Sequence, residues 1–368
     1  MITSIENIRK VFILGDLHIG VRNNSKEWVE IQRNFLINHF VKLVDEEGFD
    51  PDRDILIQLG DWHHVRESMN VRVFHESLMI AETLCKKFKR GVFEIVGNHD
   101  VYYKDRTDVN SMTILDKTID NFHVYEKTTV LNVNGQKFLM LPWIESVSEI
   151  KDEVLTHDDC DYIFCHADVK TFALNRRMKL EHGLERKDLE NFKHVFMGHI
   201  HIRQNKGNAT YAGTPYELDR GDRGNTKGFY VLNLEDDSIK FIKNLFSPVH
   251  VKYEALDILE LTLTEAKEKF NNNFVDIMID SELASKFPYA DFAELIDNSK
   301  HRRLDFLPKP NSKSALESDV DLNQSYEYNI FNILDEKINA MKISSDAAGK
   351  IKGKFTQVYD SISADSAE

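Results

Sequence analysis

Only three of the 368 residues are cysteine, too few and too odd a number for a disulfide framework, and the count fits a reducing compartment. Cys160 and Cys165 flank the apolar Tyr162-Ile163-Phe164 and are expected as buried strand residues, since no second cysteine pair exists to complete a zinc site. Seven prolines and 16 glycines exclude collagen and long disorder. No apolar run approaches the ~20 residues that span a bilayer. Met1 to Lys10 lacks the apolar centre of a signal peptide, so a soluble, cytoplasmic protein without membrane partners is expected. Positive charge is also scarce: 47 Lys and Arg stand against 61 Asp and Glu, a net charge of -14. That balance argues against indiscriminate wrapping of nucleic acid or anionic membrane. It leaves room for a nucleic-acid enzyme whose site carries cations and local basic patches.

What remains is ordinary globular composition, 42% hydrophobic and 29% charged, long enough for one large domain plus a smaller one. The first hundred residues alternate. Apolar runs at 11–14, 55–59 and 92–96 read as strands, and each ends in Gly-Asp or Gly-Asn. Trp28, Ile31, Phe35, Phe40 and Val44, then Phe74, Leu78, Ala81, Cys85 and Phe88, keep helical spacing between them. This β-α-β-α-β order implies a parallel sheet covered by helices. Residues 129–133 and 137–141 then flank Asn134-Gly135, a strong hairpin signal. Further strands are expected at 161–165, 194–197, 209–212, 228–234 and 238–245, enough for a second sheet stacked on the first.

Polar clusters close five of these strands: Asp16-Leu17-His18, Gly60-Asp61-Trp62-His63-His64, Gly97-Asn98-His99-Asp100, His166 after Phe164-Cys165, and Gly198-His199-Ile200-His201. Carboxyl ends of parallel strands form the crevice where α/β proteins place ligands. Alone, Asp16-Leu17-His18 reads better as loop chemistry, and Gly-Asn-His-Asp or Gly-His-x-His reads equally well as that; all five clusters together, in order and each behind an apolar run, do not. Asp and Asn oxygens mixed with imidazoles suit manganese, iron or zinc better than calcium. One Asp carboxylate can bridge two ions about 3.5–4 Å apart, which clamp a phosphate and make a bridging water acidic. The reaction class indicated is phosphoester hydrolysis.

Carried by these motifs, the sequence resembles the calcineurin-like metallophosphoesterase superfamily. Within it, the chain is similar to the nuclease subunit of SbcC–SbcD type DNA repair complexes, above all the tailed-phage recombination endonuclease subunit. The motif likeness runs from Asp16 to His201, and a weaker one continues through Gly213-Thr214-Pro215 to the C-terminus. The resemblance implies a four-layer α/β/β/α sandwich and a site for two manganese ions, with magnesium, iron or zinc as alternatives. One ion would take Asp16, His18, Asp61 and His201, the other Asp61, Asn98, His166 and His199, with Asp61 bridging. His99 would be the catalytic group that stabilises or protonates the departing oxygen, a role that suits imidazole. His64 would guide substrate or tune His99, with His63 the weaker choice. Asp100 reads equally as an orienter of His99 or a loop cap. Phosphoprotein phosphatases carry Arg after the second motif and Glu after Asn-His; this chain has Trp62-His63-His64 and Asp100, which disfavours a phosphoprotein substrate.

The function implied is a manganese-dependent DNA exo- or endonuclease in recombination, repair and end processing, in the host cytoplasm if phage-encoded. It would act as a homodimer within a heterotetramer, with ATP entering only through an SbcC-like coiled-coil ATPase. The alternatives are a small-molecule phosphoesterase, such as a cyclic nucleotide phosphodiesterase, and a scaffold for the ATPase. The domains expected are a nuclease domain over 1–247, a small α+β capping domain over 248–307 and a Pro/Ser-rich linker over 308–325. A helix-loop-helix follows over 326–368, its stripes Phe331, Leu334, Ile338, Met341 and Ile351, Phe355, Val358, Ile362 docking the ATPase through 326–362. Arg176-Arg177-Met178-Lys179 reads equally as DNA contact or solvated surface, and Lys86 to Arg90 as a solvated helix end. Tyr102 and Tyr103 read as base-stacking or core residues, Trp62 and Trp143 as core, and His182 as structural. The first strand begins about ten residues into the chain, and the segment before it has no role legible in the sequence.

Overall fold

The computed structural model describes residues 3–64, 66–176, 178–280 and 300–308. Residues 281–299 of the expected capping domain, the linker beyond Pro308, the terminal helical pair and Arg177 lie outside the described residues. In chain order the strands are β1 (Ser4–Ile5), β2 (Lys10–Leu14), β3 (Asp54–Gln58), β4 (Val92–Ile95), β5 (Phe122–Tyr125), β6 (Thr129–Val133), β7 (Gln136–Leu141) and β8 (Tyr162–His166). They continue as β9 (His194–Gly198), β10 (Gln204–Lys206), β11 (Ala209–Tyr211), β12 (Gly228–Asn233), β13 (Ser238–Lys243), β14 (His250–Glu254), β15 (Phe274–Ile279) and β16 (Arg303–Pro308).

One sheet has the order β13-β12-β2-β3-β4-β5, with β2 to β5 parallel and β12 antiparallel to β2. The other runs β1-β6-β7-β8-β9-β11-β10. Their strands read as nearly continuous apolar runs because both faces are covered. Alternation sorts the side chains: Val11, Ile13, Ile55, Ile57 and Phe93 meet Phe138, Tyr162, Phe164 and Phe196 between the sheets. Phe12, Leu14, Leu56 and Val92 pack outward on Trp28, Phe35, Phe40, Ile80 and Leu84. On the far side Leu139, Ile163, Val195 and Met197 pack on Ile150, Val154 and Leu189. Three cores between helix, sheet, sheet and helix give the expected four layers.

The helix after β2 runs Lys26–Asn34, widens into a π-type stretch at Phe35–Phe40 and ends with Val41–Glu46. Val71–Lys87 is capped by Asn70, whose side chain accepts from the Arg72 amide. Asn134 and Gly135, at φ 52° and 81°, make the hairpin turn between β6 and β7.

The segment before β2 does have a place. Ser4 and Ile5 pair in parallel with Asn132 and Val133, and the Ile8 amide donates to Asn134 Oδ1 at 2.9 Å. Ile5 and Ile8 are buried between the sheets. Two residues of pairing are too short a strand to show a period, so the pattern could not announce it.

Beyond Pro248, β14, β15 and β16 form a separate parallel sheet with helices Ala255–Leu259 and Leu263–Phe270, the latter opened by a Thr262–Glu265 capping box. Its core is Ile258, Ala266, Phe270, Val275 and Ile277. It meets the sandwich where Trp28 stacks on Phe274 at 5.1 Å and where Arg220 and Arg223 pair with the buried Asp276. No helix among the described residues is long and apolar enough to cross a membrane.

Candidate metal centre

Loops at the carboxyl ends of β2, β3, β4 and β9, and the last residue of β8, bring all seven expected ligands together. Nε2 of His18 and Nε2 of His201 face each other at 2.8 Å, and with Asp16 they form a set whose donor atoms lie within 4.8 Å of one another. Asp61, His166 and His199 form a second set within the same limit. His166 Nε2 and His199 Nδ1 converge on Asn98 Oδ1, at 2.8 and 3.0 Å. A single oxygen, Asp61 Oδ2, stands between the sets, 3.6 Å from His18 Nε2 and 3.4 Å from His166 Nε2.

This convergence needs unusual backbone. His18, Asp61 and His199 have φ of 48°, 57° and 89°, a region that costs a residue with a side chain about 1–3 kcal/mol. Glycine is required where loops touch the donors. A Cβ at Gly97 would lie 2.3 Å from Asp61 Oδ1, and one at Gly60 would lie 2.5 Å from His166 Nδ1.

Neighbouring groups fix the donors. His166 Nδ1 lies 2.8 Å from the Leu59 carbonyl, so it donates there and turns Nε2 inward. Buried Gln32 donates to the carbonyls of Leu17 and His18, and Tyr216 donates to the Leu17 carbonyl at 2.6 Å. Lys227, paired with Asp222 in the interior, donates to the His201 carbonyl at 2.7 Å. Asp100 settles as a loop cap: its carboxylate accepts from the amides of Asp61, Gly97 and His63 and not from His99. Asp168, absent from the sequence reading, lies with Oδ1 3.2 Å from His199 Nε2 and Oδ2 3.0 Å from His182 Nε2.

Burial dominates the electrostatics. It lowers His201 to about 4 and His18 well below the ordinary histidine range, so both imidazoles are neutral and offer lone pairs. Burial, with the Asp61 charge beside it, raises Asp16 to about 7. At Asp61 burial opposes ionisation, but His166, His99 and His18 outweigh it and hold the carboxylate well below its usual value. Burial would lower His166, yet Asp61 lifts it to about 9. Two neutral Nε2 atoms 2.8 Å apart can share only one proton. Lone pairs and carboxylate oxygens therefore crowd one edge beyond what hydrogen bonding satisfies, and this donor set fits two divalent cations.

The remaining histidines separate by their contacts. His99 Nδ1 lies 2.8 Å from the His64 carbonyl, and its amide donates to Asp61 Oδ1 at 2.7 Å. His64 stacks on His99 and sets Nδ1 3.3 Å from His18 Nδ1; burial, then His99, lowers it to about 4. His63 is buried between Ser77 and Ser111, so both ring nitrogens are engaged. Trp62 is core, donating to Ser77. Trp143 is not: half-buried, it lies against His199 at 5.0 Å and His166 at 6.0 Å, because the loop after β7 turns it to the site. Tyr102 and Tyr103 are exposed against each other, which removes their core reading.

Comparison with known proteins gives two relatives. Exonuclease subunit 1 of Enterobacteria phage T4 is 28% identical over 299 residues, 79% of this chain and 85% of that protein. The DNA double-strand break repair protein Mre11 of Nanoarchaeum equitans is 23% identical over 316 residues, 73% of this chain and 84% of that protein. The family model for calcineurin-like phosphoesterases matches residues 9–203. That span exceeds half the chain and encloses all seven converging donors, so the protein belongs to the calcineurin-like phosphoesterase family.

Proposed function

We propose that the chain is a manganese-dependent DNA nuclease with a two-metal site, working with an SbcC-like ATPase. The observation that carries the reading is the pair of donor sets joined at one Asp61 oxygen. Asp16, His18, Asp61 and His201 would hold one ion, and Asp61, Asn98, His166 and His199 the other. Ions bound there supply Lewis acidity that neutralises a phosphodiester and makes water nucleophilic near neutral pH. DNA as substrate rests on the two relatives, both named for nuclease or break-repair work.

The chain's own residues supply the rest. His99 is outside the two sets that meet at Asp61, though with His64 and His18 it forms a third close group, and its ring is held through Nδ1 by the His64 carbonyl. With Nδ1 held there, Nε2 is the ring atom left to carry a proton to the departing oxygen. His64 stays neutral beside it, so the two rings do not compete for that proton. Asp61 has Oδ2 between the two donor sets, and its Oδ1 accepts from the His99 amide and fixes that loop. Residues 1–247 would be the nuclease domain, 248–307 the cap, 308–325 the linker and 326–368 the ATPase dock.

The test uses labelled single- and double-stranded DNA with manganese. The parent chain should cleave DNA, and His99→Ala should keep two ions per chain while turnover falls ~10²–10⁴-fold. A parent that cleaves a cyclic nucleotide but no DNA makes it a small-molecule phosphodiesterase instead. Loss of metal from His99→Ala places that residue among the ligands.

A further inference from the structure

We propose that Asp168 is the positioning residue for His199, fixing which ring nitrogen faces the cation. The inference rests on the two-metal reading and deepens it.

A neutral imidazole carries one proton, and the nitrogen opposite it offers the lone pair. For His166 the choice is made by the Leu59 carbonyl, which takes Nδ1–H. His199 has the opposite arrangement. Its Nδ1 lies 3.0 Å from Asn98 Oδ1, among the donors, and its Nε2 lies 3.2 Å from Asp168 Oδ1. Asp168 Oδ1 is buried with no hydrogen-bond partner among the described residues, and its charge at ion-pair distance favours the proton on Nε2 and leaves the Nδ1 lone pair for the metal.

Packing alone would not hold this ring. The His199 side chain is 21% exposed and its backbone stands at φ 89°, where only a tight network keeps it. Its ring neighbours are Trp143, tilted 33° against it, and His166, edge-on at 5.2 Å. Asp168 is itself anchored. Its carbonyl accepts from Leu184 N at 2.9 Å, the next amide, Val169 N, donates to buried Tyr211 Oη at 2.9 Å, and its second oxygen meets His182. A Cβ at Gly183 would lie 2.3 Å from the Asp168 carbonyl oxygen, so this approach requires glycine. With a side chain only 13% exposed, the charge acts with little solvent screening. Carboxylate support of a ligating histidine is worth roughly 10–100-fold in metal affinity.

The experiment is manganese titration by calorimetry, with electron paramagnetic resonance of free ion, on the full chain. The parent, Asp168→Asn, Asp168→Ala and His182→Ala are compared. The parent should bind two ions; if it does not, the two-metal reading fails before Asp168 is tested. Asp168→Ala should weaken one ion ~10–100-fold and leave the other unchanged. Asp168→Asn, which keeps shape and an acceptor but not the charge, should fall between, and His182→Ala, removing an exposed partner, should cost little. In hydrolysis assays the manganese concentration for half activation should rise by the same factor, with kcat at saturating metal nearly restored. Unchanged affinity for both ions in either Asp168 variant overturns the proposal. So does equal weakening of both, which would make Asp168 a general structural residue.

Discussion

Gly97→Ala is the smallest change that tests whether the carboxylate between the two donor sets must stay where it is. Gly97 does not occupy the left-handed region, so alanine adds no backbone strain, only one methyl group. That methyl would lie 2.2 Å from the Asp61 amide nitrogen and 2.3 Å from Asp61 Oδ1. Ordinary contact begins near ~3.5 Å, so Asp61 or the loop of Gly97 must retreat by about 1 Å. Asp61 cannot rotate freely, because its amide is tied to Asp100 and its Oδ1 to the His99 amide. The displacement therefore reaches both donor sets and His99 together. A misplacement of that size costs on the order of 10²-fold in rate. The assay is manganese-dependent hydrolysis of DNA and of a chromogenic phosphodiester, with circular dichroism as the check on folding. A folded Gly97→Ala chain with parental kcat and two tightly bound ions would refute the argument.

A pH effect follows from Glu94 in β4, fully buried, with neither carboxylate oxygen hydrogen-bonded among the described residues. Burial, then the charges of Asp100 and Asp61, hold its acid form well above the usual range. The folded chain thus keeps a proton that the unfolded chain sheds above about pH 4.3, and stability falls as pH rises, by at most ~1.4 kcal/mol per unit. Glu94→Gln lacks that slope. Urea titrations of metal-free protein should show its stability relative to the parent climbing by up to about 2.7 kcal/mol from about pH 5.5 to about 7.5, and a pH-independent difference would sink the reasoning. In the proposed reading, truncation after Asn311 should preserve manganese-dependent cleavage and abolish co-purification of an SbcC-like ATPase. Full-strength capture by the shortened chain would remove the dock from 326–362, and unfolding would mean that the helices pack on their own domain.

The sandwich was legible because its signals are local. β2, β3 and β4 are short apolar runs that each lead into glycine and a polar residue, and Asn134-Gly135 announces its hairpin within two positions; β5, Phe122–Tyr125, leads into Glu126 with no such mark and was not expected. The residues expected as donors, and brought together in the structure, stand in equally local contexts: Asp16, Asp61, Asn98, His166, His199 and His201 each lie at or just past such a run. What escaped is long-range. Gln32 reaches the Leu17–His18 turn from mid-helix, and Lys227 reaches the His201 carbonyl across 26 residues. Nothing in their own neighbourhoods distinguishes them from surface polar residues. Trp143 was read as core because an aromatic after an apolar run usually is. Only the turn after β7 sends it to His199.

These long-range groups bear on why the centre is stable at all. Three donors occupy costly backbone conformations, and Asp16 and Glu94 bring carboxyl groups into the interior. Each feature destabilises the fold when considered alone. The carbonyls of Leu59, Leu17 and His18, the amides bound by Asp100 and the Lys227–Asp222 pair restrain loops that would otherwise relax away from one another. In the two-metal reading, cations that bind only the assembled donors add stability through mass action. Strain, second-layer hydrogen bonds and metal would then be one coupled system. In that system the groups that hold the ligands matter as much to the chemistry as the ligands themselves, although they never touch the substrate.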